Sequence, residues 1–415
     1  MPTKRVLMIA FHFPPLAGSS GIQRTLRFVQ HLPAFGWQPL VLTAHPLAYE
    51  RTGSDLLDQV PEGTVVRRAF ALDTARHLAL RGRYMGAMAR PDRWVSWKFD
   101  AVRRGMQMLR EFRPQAIWST YPIATAHLIG ATLHQRSGLP WIADFRDPMA
   151  QDGYPADPST WQQYRRIEQT ALEQASCATF TTPGAARVYR ERYPQGAHRV
   201  CVLENGYDEV SFAHAERSLD TTAPPNAGCV TLLHSGIVYP SERDPTQLFE
   251  ALRALKAAGQ LAPGSLKIRF RAAVHDALIQ RLAAAHGVSE WVETLPAIDY
   301  HAALREMMSA DALLVLQAAN CNEQIPAKIY EYLRARRPIL CLSDPLGDTA
   351  AVLRQAGVPA IARLDSADDI ARVLPAFLAD VRGHRAALPA AAAVAAASRA
   401  GRAQALAQRL DALLS

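Results

Sequence analysis

The sequence predicts an α/β protein built from two Rossmann-like domains in tandem, and three observations lead there. The chain has 415 residues, more than one ordinary core accommodates, since single domains usually run about 100 to 200 residues. Apolar runs of strand length alternate with longer segments of helical period, the pattern of parallel sheets covered by helices. That alternation lapses between Asn205 and Gly228 into Asn-Gly, Asp, Ser, Thr-Thr and Pro-Pro-Asn, a turn and linker composition, before a second α/β series begins.

In chain order, residues 6–11 read as the first strand. A Gly/Ser loop at 16–21 follows, then a helix with Leu26, Val29 and Leu32 at helical spacing. Strands at 39–43, 116–119, 141–144, 178–181 and 200–203 complete a first domain of residues 1–208, with 209–228 as linker. In a second domain of residues 229–385, the strand 229–234 ends in Ser235-Gly236 and precedes a helix at 245–257. Further strands fall at 266–270, 291–295, 312–316 and 338–342. Residues 386–415 read as an Ala-rich helix packing back toward the first domain, with Arg399, Arg402 and Arg409 on its polar face. Two such domains face each other across a cleft between the carboxyl ends of their sheets, where ligands of open α/β folds sit.

Composition narrows the functional classes. With 49% hydrophobic and 20% charged residues the chain is globular rather than disordered. No uninterrupted apolar stretch approaches the roughly 18 residues of a membrane span. The short apolar run after Lys4-Arg5 ends in Pro14-Pro15 and reads as a buried strand rather than a signal peptide. Cysteines 177, 201, 229, 321 and 341 show no Cys-x-x-Cys spacing, which argues against a disulfide framework or a zinc site and for a reducing cytoplasm. A net charge of +8 is compatible with nucleic acid, an anionic membrane or phosphorylated substrates. Residues 76–113 combine many Arg and few acids with Trp94, Trp97, Met85, Met88, Met106 and Met108, which suits an anionic membrane surface and equally a solvated helix face. No nucleic-acid motif accompanies them. A cytoplasmic protein, at most peripheral at the inner face of the membrane, is the expectation.

The most informative segment is residues 322–345, NEQIPAKIYEYLRARRPILCLSDP. A polar loop at 317–324 enters a helix expected to start at Pro326, a residue suited to a first helical position because it lacks an N–H. The free N–H groups of the first turn that Pro326 opens, those of Ala327 and Lys328 among them, make with the helix dipole an anion site fit for a diphosphate, and Lys328 adds a full positive charge. Glu323 and Glu331 bracket that helix start, and a carboxylate accepts two hydrogen bonds from neighbouring hydroxyls of a sugar or ribose.

Here the chain resembles the GT-B glycosyltransferases, specifically the retaining family 4-like group, which carries a Glu-x7-Glu motif at this helix. Glu323 and Glu331 match that spacing, and Arg-Arg-Pro-Ile-Leu resembles the family's Gly-x-Pro-Val strand entry. The resemblance implies that Glu323 contacts the transferred sugar and Glu331 the ribose. Gln324 and Pro326 replace the usual glycines, a variant that looks like the subgroup of polysaccharide and cell-surface glycan assembly. After the first strand of the second domain, Gly236 allows close backbone approach and Arg243 can grip phosphate with its guanidinium fork. The family holds the diphosphate with a Gly followed shortly by Arg and Lys; Ile237 occupies the usual Arg position here.

On the first-domain side, small residues Gly18, Ser19, Ser20 and Gly21 let backbone N–H groups face a phosphate, with Arg24 and Arg27 on the following helix. This is not the Gly-x-Gly-x-x-Gly dinucleotide fingerprint, and no acidic residue ends the second strand. The loop resembles the family's Gly-rich first loop. Asp144, Arg146 and Asp147 stand at a strand end, where charges need a partner or a ligand. Arg146 replaces the family's His, and the alternative to a catalytic role for Arg146 and Asp147 is an internal ion pair with Asp144 or Asp147. His127 reads as a packed or surface residue. Asn205-Gly206-Tyr207-Asp208 resembles the family's Asn-Gly-Val-Asp and reads as a turn.

The sequence therefore points to transfer of a sugar from a nucleoside diphosphate, UDP- or GDP-linked, to a hydroxyl of a glycan or lipid-linked glycan. The resemblance implies retention at the anomeric carbon by front-face attack, with no tightly bound cofactor and no metal. The alternatives are a GT-B sugar-nucleotide epimerase or phosphorylase, or a non-catalytic nucleotide-sugar-binding partner of a glycan-assembly complex.

Overall fold

A computed structural model describes residues 4–19, 21–54, 56–81, 83–219 and 228–414. The chain forms two compact units, Met1–Asn205 with Arg399–Ser415, and Gly206–Ser398.

The first unit is built on a seven-stranded sheet of order β3-β2-β1-β4-β5-β6-β7. Its strands are β1 (Lys4–Ile9), β2 (Trp37–Ala44), β3 (Val65–Ala69), β4 (Ala116–Thr120), β5 (Trp141–Arg146), β6 (Cys177–Phe180) and β7 (Val200–Val202). All pairings are parallel, with Val6 opposite both Pro39 and Ala116. Helices cover both faces of such a sheet, which is why the central strands read as continuous apolar runs. The order reverses between β1 and β4, and the loops beyond their carboxyl ends lie at the switch point where ligands bind. Strand β3, Val-Val-Arg-Arg-Ala, was not expected from the sequence; it is an edge strand, where charged residues are tolerated.

The second unit carries a six-stranded parallel sheet of order β10-β9-β8-β11-β12-β13. Its strands are β8 (Val230–Ser235), β9 (Leu266–Arg271), β10 (Val292–Leu295), β11 (Ala312–Gln317), β12 (Ile339–Ser343) and the two-residue β13 (Ile361–Ala362). Side chains alternate across this sheet as the pleat requires. Leu232, Leu314, Leu316, Leu340 and Leu342 enter a core beneath the helices Thr246–Ala257 and Ala367–Arg382. Leu233, Leu313, Val315, Ile339 and Cys341 enter a separate core beneath Tyr300–Ser309 and Lys328–Ala335. The switch point lies between β8 and β11.

Two segments depart from the sequence reading. Within the expected linker 209–228, Glu209–Glu216 is a helix. Asp208 caps it by accepting from Ser211 N–H at 3.1 Å, and Phe212 and Ala215 are buried. Arg334 then binds Glu209 and Glu216 at 2.6 and 2.8 Å. Of that linker, residues 220–227 lie outside the described residues. The Ala-rich stretch forms two helices rather than one, Ala391–Ala396 in the second unit and Arg399–Ala412 in the first. Ala403, Leu406, Ala407 and Leu410 enter the first unit's core. The arginines expected on its polar face are tethers instead. Arg399 donates to Gln23, Arg402 pairs with Glu204 at 2.6 Å, and Arg409 donates to the Val202 carbonyl at 3.0 Å.

Among the described residues no helix is long and apolar enough to cross a membrane.

Candidate active site

In the second unit the constellation assembles beyond the ends of β8 and β11. His234, the fifth residue of β8, is fully buried, with Nδ1 3.1 Å from the Leu314 carbonyl. A carbonyl only accepts, so Nδ1 carries the proton and Nε2 presents a lone pair. Lys328 Nζ donates to that lone pair at 2.9 Å and to the Ser235 carbonyl at 3.2 Å. Burial first, then the charges of Lys328 and Arg243, push the His234 pKa well below its ordinary value, so the ring is neutral.

Lys328 departs from the sequence reading, which gave it a full positive charge. Burial, reinforced by Arg243 and opposed by Glu331, drives its pKa well below that of a free lysine. The ammonium form is therefore penalised until an anion arrives. Gly236 has φ of +112°, in the region that favours glycine, and a Cβ built there would stand 3.9 Å from Lys328 Nζ. Arg243 folds back over the same turn. Its Nη1 donates to the Ile237 carbonyl at 2.6 Å, and its guanidinium lies 5.2 Å from the Tyr239 ring centroid. Its Nε is buried with no partner among the described residues. Gly236, Arg243 and Lys328, 92 residues apart in sequence at the extremes, thus meet in one cradle.

The helix begins two residues later than expected, at Lys328 with Ala327 as N-cap. Pro326 sits in the preceding turn, and its carbonyl accepts from Ile329 N–H at 2.9 Å. Tyr332 on this helix accepts from Ser235 N–H at 2.8 Å, fixing the helix to the end of β8. Glu331 lies in the first turn and accepts from the Tyr300 hydroxyl at 2.9 Å. Glu323 is exposed in the loop before the helix. That loop is tied on both sides. Ala318 N–H donates to Glu242 at 2.7 Å and Asn320 to Ser241 at 3.0 Å. Asn322 donates to Asp344 at 2.6 Å and Thr349 to Gln324 at 3.0 Å.

In the first unit the Gly/Ser loop lies at the end of β1, with Ser20 outside the described residues. Gly18 has φ of +77°. Gly21 opens the helix Gly21–His31, and a Cβ there would fall 2.3 Å from His12 Nδ1, so only glycine lets this helix start so close to the ring. Ser19 Oγ accepts from Gly21 N–H and lies 3.2 Å from His12 Nδ1. Burial and Arg146 push the His12 pKa down to about 4.

Arg146 is brought to the same place. A register irregularity between Asp144 and Arg146 and a φ of +65° turn it out of the ladder. Its Nη1 then lies 3.4 Å from the Gly21 carbonyl and 3.3 Å from that of Tyr121. Asp147 is exposed, 3.4 Å from the Thr181 hydroxyl. Asp144 is not the partner of Arg146: its carboxylate is gripped by Arg24 at 2.7 and 2.9 Å and bonded by Thr120 and Thr179. Arg24 also donates to the Leu203 carbonyl, so it is a buried tie between the first helix and β5 and β7, not a phosphate ligand. His127 is buried, 2.8 Å from Ser119 Oγ and against Phe145, with its pKa lowered to about 4 by burial.

The sequence model described as "Glycosyl transferase 4-like domain" matches residues 20–206. HepE from Anabaena in complex with UDP has a TM-score of 0.60 to this chain at 13% identity, covering 99% of this chain and 97% of that one. A glycosyltransferase from Rickettsia africae reaches 0.63 at 11% identity, over all of both chains. Sucrose-phosphate synthase from Thermosynechococcus elongatus reaches 0.57 at 14% identity, covering 99% and 96%. Residues 20–206 thus match a glycosyl transferase 4-like domain, and the whole chain has the fold of these glycosyltransferase structures. No curated protein sequence matches it.

The reading of the glycosyltransferase from its sequence missed His12, His234 and Tyr300. Each carried a positional signal: His12 and His234 stand at the carboxyl ends of the first strands of their sheets, and Tyr300 opens the helix Tyr300–Ser309. A single histidine in an apolar run otherwise reads as packing.

Proposed function

We propose that this glycosyltransferase takes its sugar from a nucleoside-diphosphate sugar and passes it, with retention and without a metal, to a hydroxyl of a glycan or lipid-linked glycan. The observation that carries this reading is the cradle of Gly236, Arg243 and Lys328 at the start of the helix that also bears Glu331. A diphosphate supplies what the cradle lacks: an acceptor for the buried Arg243 Nε and an anion that restores the Lys328 ammonium. The helix start adds its dipole. These positive groups stabilise charge developing on the leaving diphosphate, whose oxygen takes the acceptor's proton in front-face attack. Glu331, oriented by Tyr300, binds the ribose, and Glu323 binds the transferred sugar. In the first unit, the Gly18–Gly21 loop with Arg146 and Asp147 forms a second candidate site for the reacting groups.

HepE is described with UDP and with UDP-glucose, so UDP-sugars are the first donors to test and GDP-sugars the second. The assay is nucleoside-diphosphate release with each donor, in EDTA, with an acceptor extract. Release that requires added divalent metal would refute the metal-free route, and no release with any donor would refute the donor reading.

The acceptor side of the proposal includes an anionic membrane surface, and the structure redistributes the residues that suggested it. Trp97 and Met108 are buried, and the Trp94 ring packs tilted against Phe11 with centroids 4.7 Å apart. Leu80, Met85 and Phe99 are exposed by 80, 69 and 78%. Phe99 lines a groove of about 580 Å³ with Met106, Lys98, Arg110 and Arg136. Among the described residues those last three have no acidic partner. Basic heads around exposed apolar side chains fit an anionic lipid surface. Flotation with phosphatidylglycerol vesicles should show binding that weakens with salt; no binding at low salt would remove the membrane from the proposal.

A further inference from the structure

A cavity of about 260 Å³ opens at the carboxyl edge of the second sheet, on the face covered by Thr246–Ala257 and Ala367–Arg382. The helix bearing Lys328 and Glu331 packs on the opposite face. Its walls are Gln317 at the end of β11, Asp344 after β12, Arg363 and Asp365 after β13, and Asp244 and Gln247 at the start of the covering helix. Gln317 is 2% exposed, its Nε2 donates to the Cys321 carbonyl at 3.1 Å, and its Oε1 has no partner among the described residues. A buried amide oxygen left unbonded loses its hydration with nothing in return, so this oxygen calls for a donor from the cavity.

The chemistry of the walls selects the ligand. Three aspartates against one arginine repel a diphosphate, so this is not a second nucleotide site. Nor is the negative charge free to draw in a cation. Asp365 is held by both arms of Arg363 at 2.9 Å. Asp344 accepts from Leu346 N–H and Asn322, and Asp244 caps Thr246. What remains is a mixture of unshared acceptor lone pairs with the N–H groups of Arg363 and Gln247. Hydroxyls both donate and accept, and they match such a mixture where an amine matches only half of it. The volume lies below the roughly 300 Å³ at which drug-sized sites begin, which suits a single sugar ring.

We propose that this cavity is a carbohydrate site for one neutral pyranose unit of a glycan, separate from the donor cradle, with Gln317 Oε1 and Asp365 as its principal acceptors. Through the Gln317–Cys321 bond the occupied cavity steadies the loop that leads to Glu323. The site does not depend on the donor reading.

The test is saturation-transfer NMR on the full chain with the methyl glycosides of glucose, galactose, mannose and N-acetylglucosamine, with and without saturating UDP. At least one glycoside should receive saturation that persists with UDP. The signal should fall about fivefold or more, the effect of one lost hydrogen bond, in Gln317→Met and in Asp365→Ala variants of wild-type melting temperature. If Gln317→Met does not fold, exposed Asp365→Ala decides alone. No transfer to any glycoside, displacement by UDP, an undiminished signal in Asp365→Ala, or displacement by putrescine would each overturn the proposal. Failure of UDP to bind would count against the donor cradle and leave the glycoside result standing.

Discussion

At the scale of single residues, the pair His234–Lys328 sets the electrostatics of the proposed donor cradle. Neutral His234 offers Lys328 a lone pair but no charge, so Lys328 keeps its proton poorly until an anion binds. The sign follows. Binding a diphosphate raises the Lys328 pKa, the complex takes up a proton, and affinity falls as pH rises through the pKa of the free protein. Titration calorimetry with UDP above pH 7, where the nucleotide's own terminal phosphate is fully ionised, should show this decline. Lys328→Met should remove it and weaken binding by about 1.5–3 kcal/mol, the range for hydrogen bonds to charged groups. The two glutamates should separate in kinetics. Glu331→Ala is expected to weaken nucleotide binding by about 1–3 kcal/mol, and Glu323→Ala to lower turnover more than nucleotide affinity. Unchanged kinetics in both variants would remove the hydroxyl-binding roles. Glu323 and Glu331 could be proposed from sequence because a spacing of eight residues can be read in one dimension. His234 was not, because its partner is 94 residues away and only the parallel register of β8 and β11 brings them together.

At the scale of elements, the start of the Gly21–His31 helix shows how closely a loop is fitted to its sheet. The missing Cβ of Gly21 is occupied by the His12 imidazole. Gly21→Ala therefore forces the ring aside, at about 1–3 kcal/mol for overpacking. In the double variant with His12→Ala the clash is absent, so its loss should be smaller than the sum of the single losses. Denaturant unfolding of the four proteins measures the difference, and strict additivity would mean that the two residues do not meet. The same scale explains which elements the sequence revealed. Strands buried on both faces, such as β1 and β11, stand out as apolar runs. Strands β3 and β13 are an edge strand with two arginines and a pair of residues, and neither leaves a pattern. The helix Glu209–Glu216 was hidden among turn residues, although Asp208 followed by Glu209 offers an N-cap with an acid in the first turn.

At the scale of the molecule, buried histidines make the fold sensitive to acid. His127, in the first unit's core, has a pKa of about 4, against 6.5 for an ordinary histidine. Between those values the unfolded chain binds a proton that the folded chain refuses, so stability falls as pH drops from about 6.5 toward 4. At about 1.4 kcal/mol per unit, the His127 share is on the order of 3 kcal/mol. Replacing it with Phe, which keeps the ring against Phe145, should flatten the pH dependence of the melting temperature across that window. An unchanged slope would place the acid sensitivity elsewhere. The two-unit division was legible in outline from the repeated α/β alternation. The return of the C-terminal helix to the first unit was legible too, but its separation from Ala391–Ala396 was not, because an Ala-rich run carries no Gly or Pro to mark the break.

That route has a consequence for synthesis. The helix Arg399–Ala412 fills the core of the unit that the first 205 residues build. A ribosome therefore finishes the sheet of the first unit, makes the whole of the second, and only then delivers the segment that closes the first. During that interval the apolar strip beneath Leu406 and Leu410 faces water. The second unit, continuous in the chain, is free to fold first, and the half made earliest is the one that matures last.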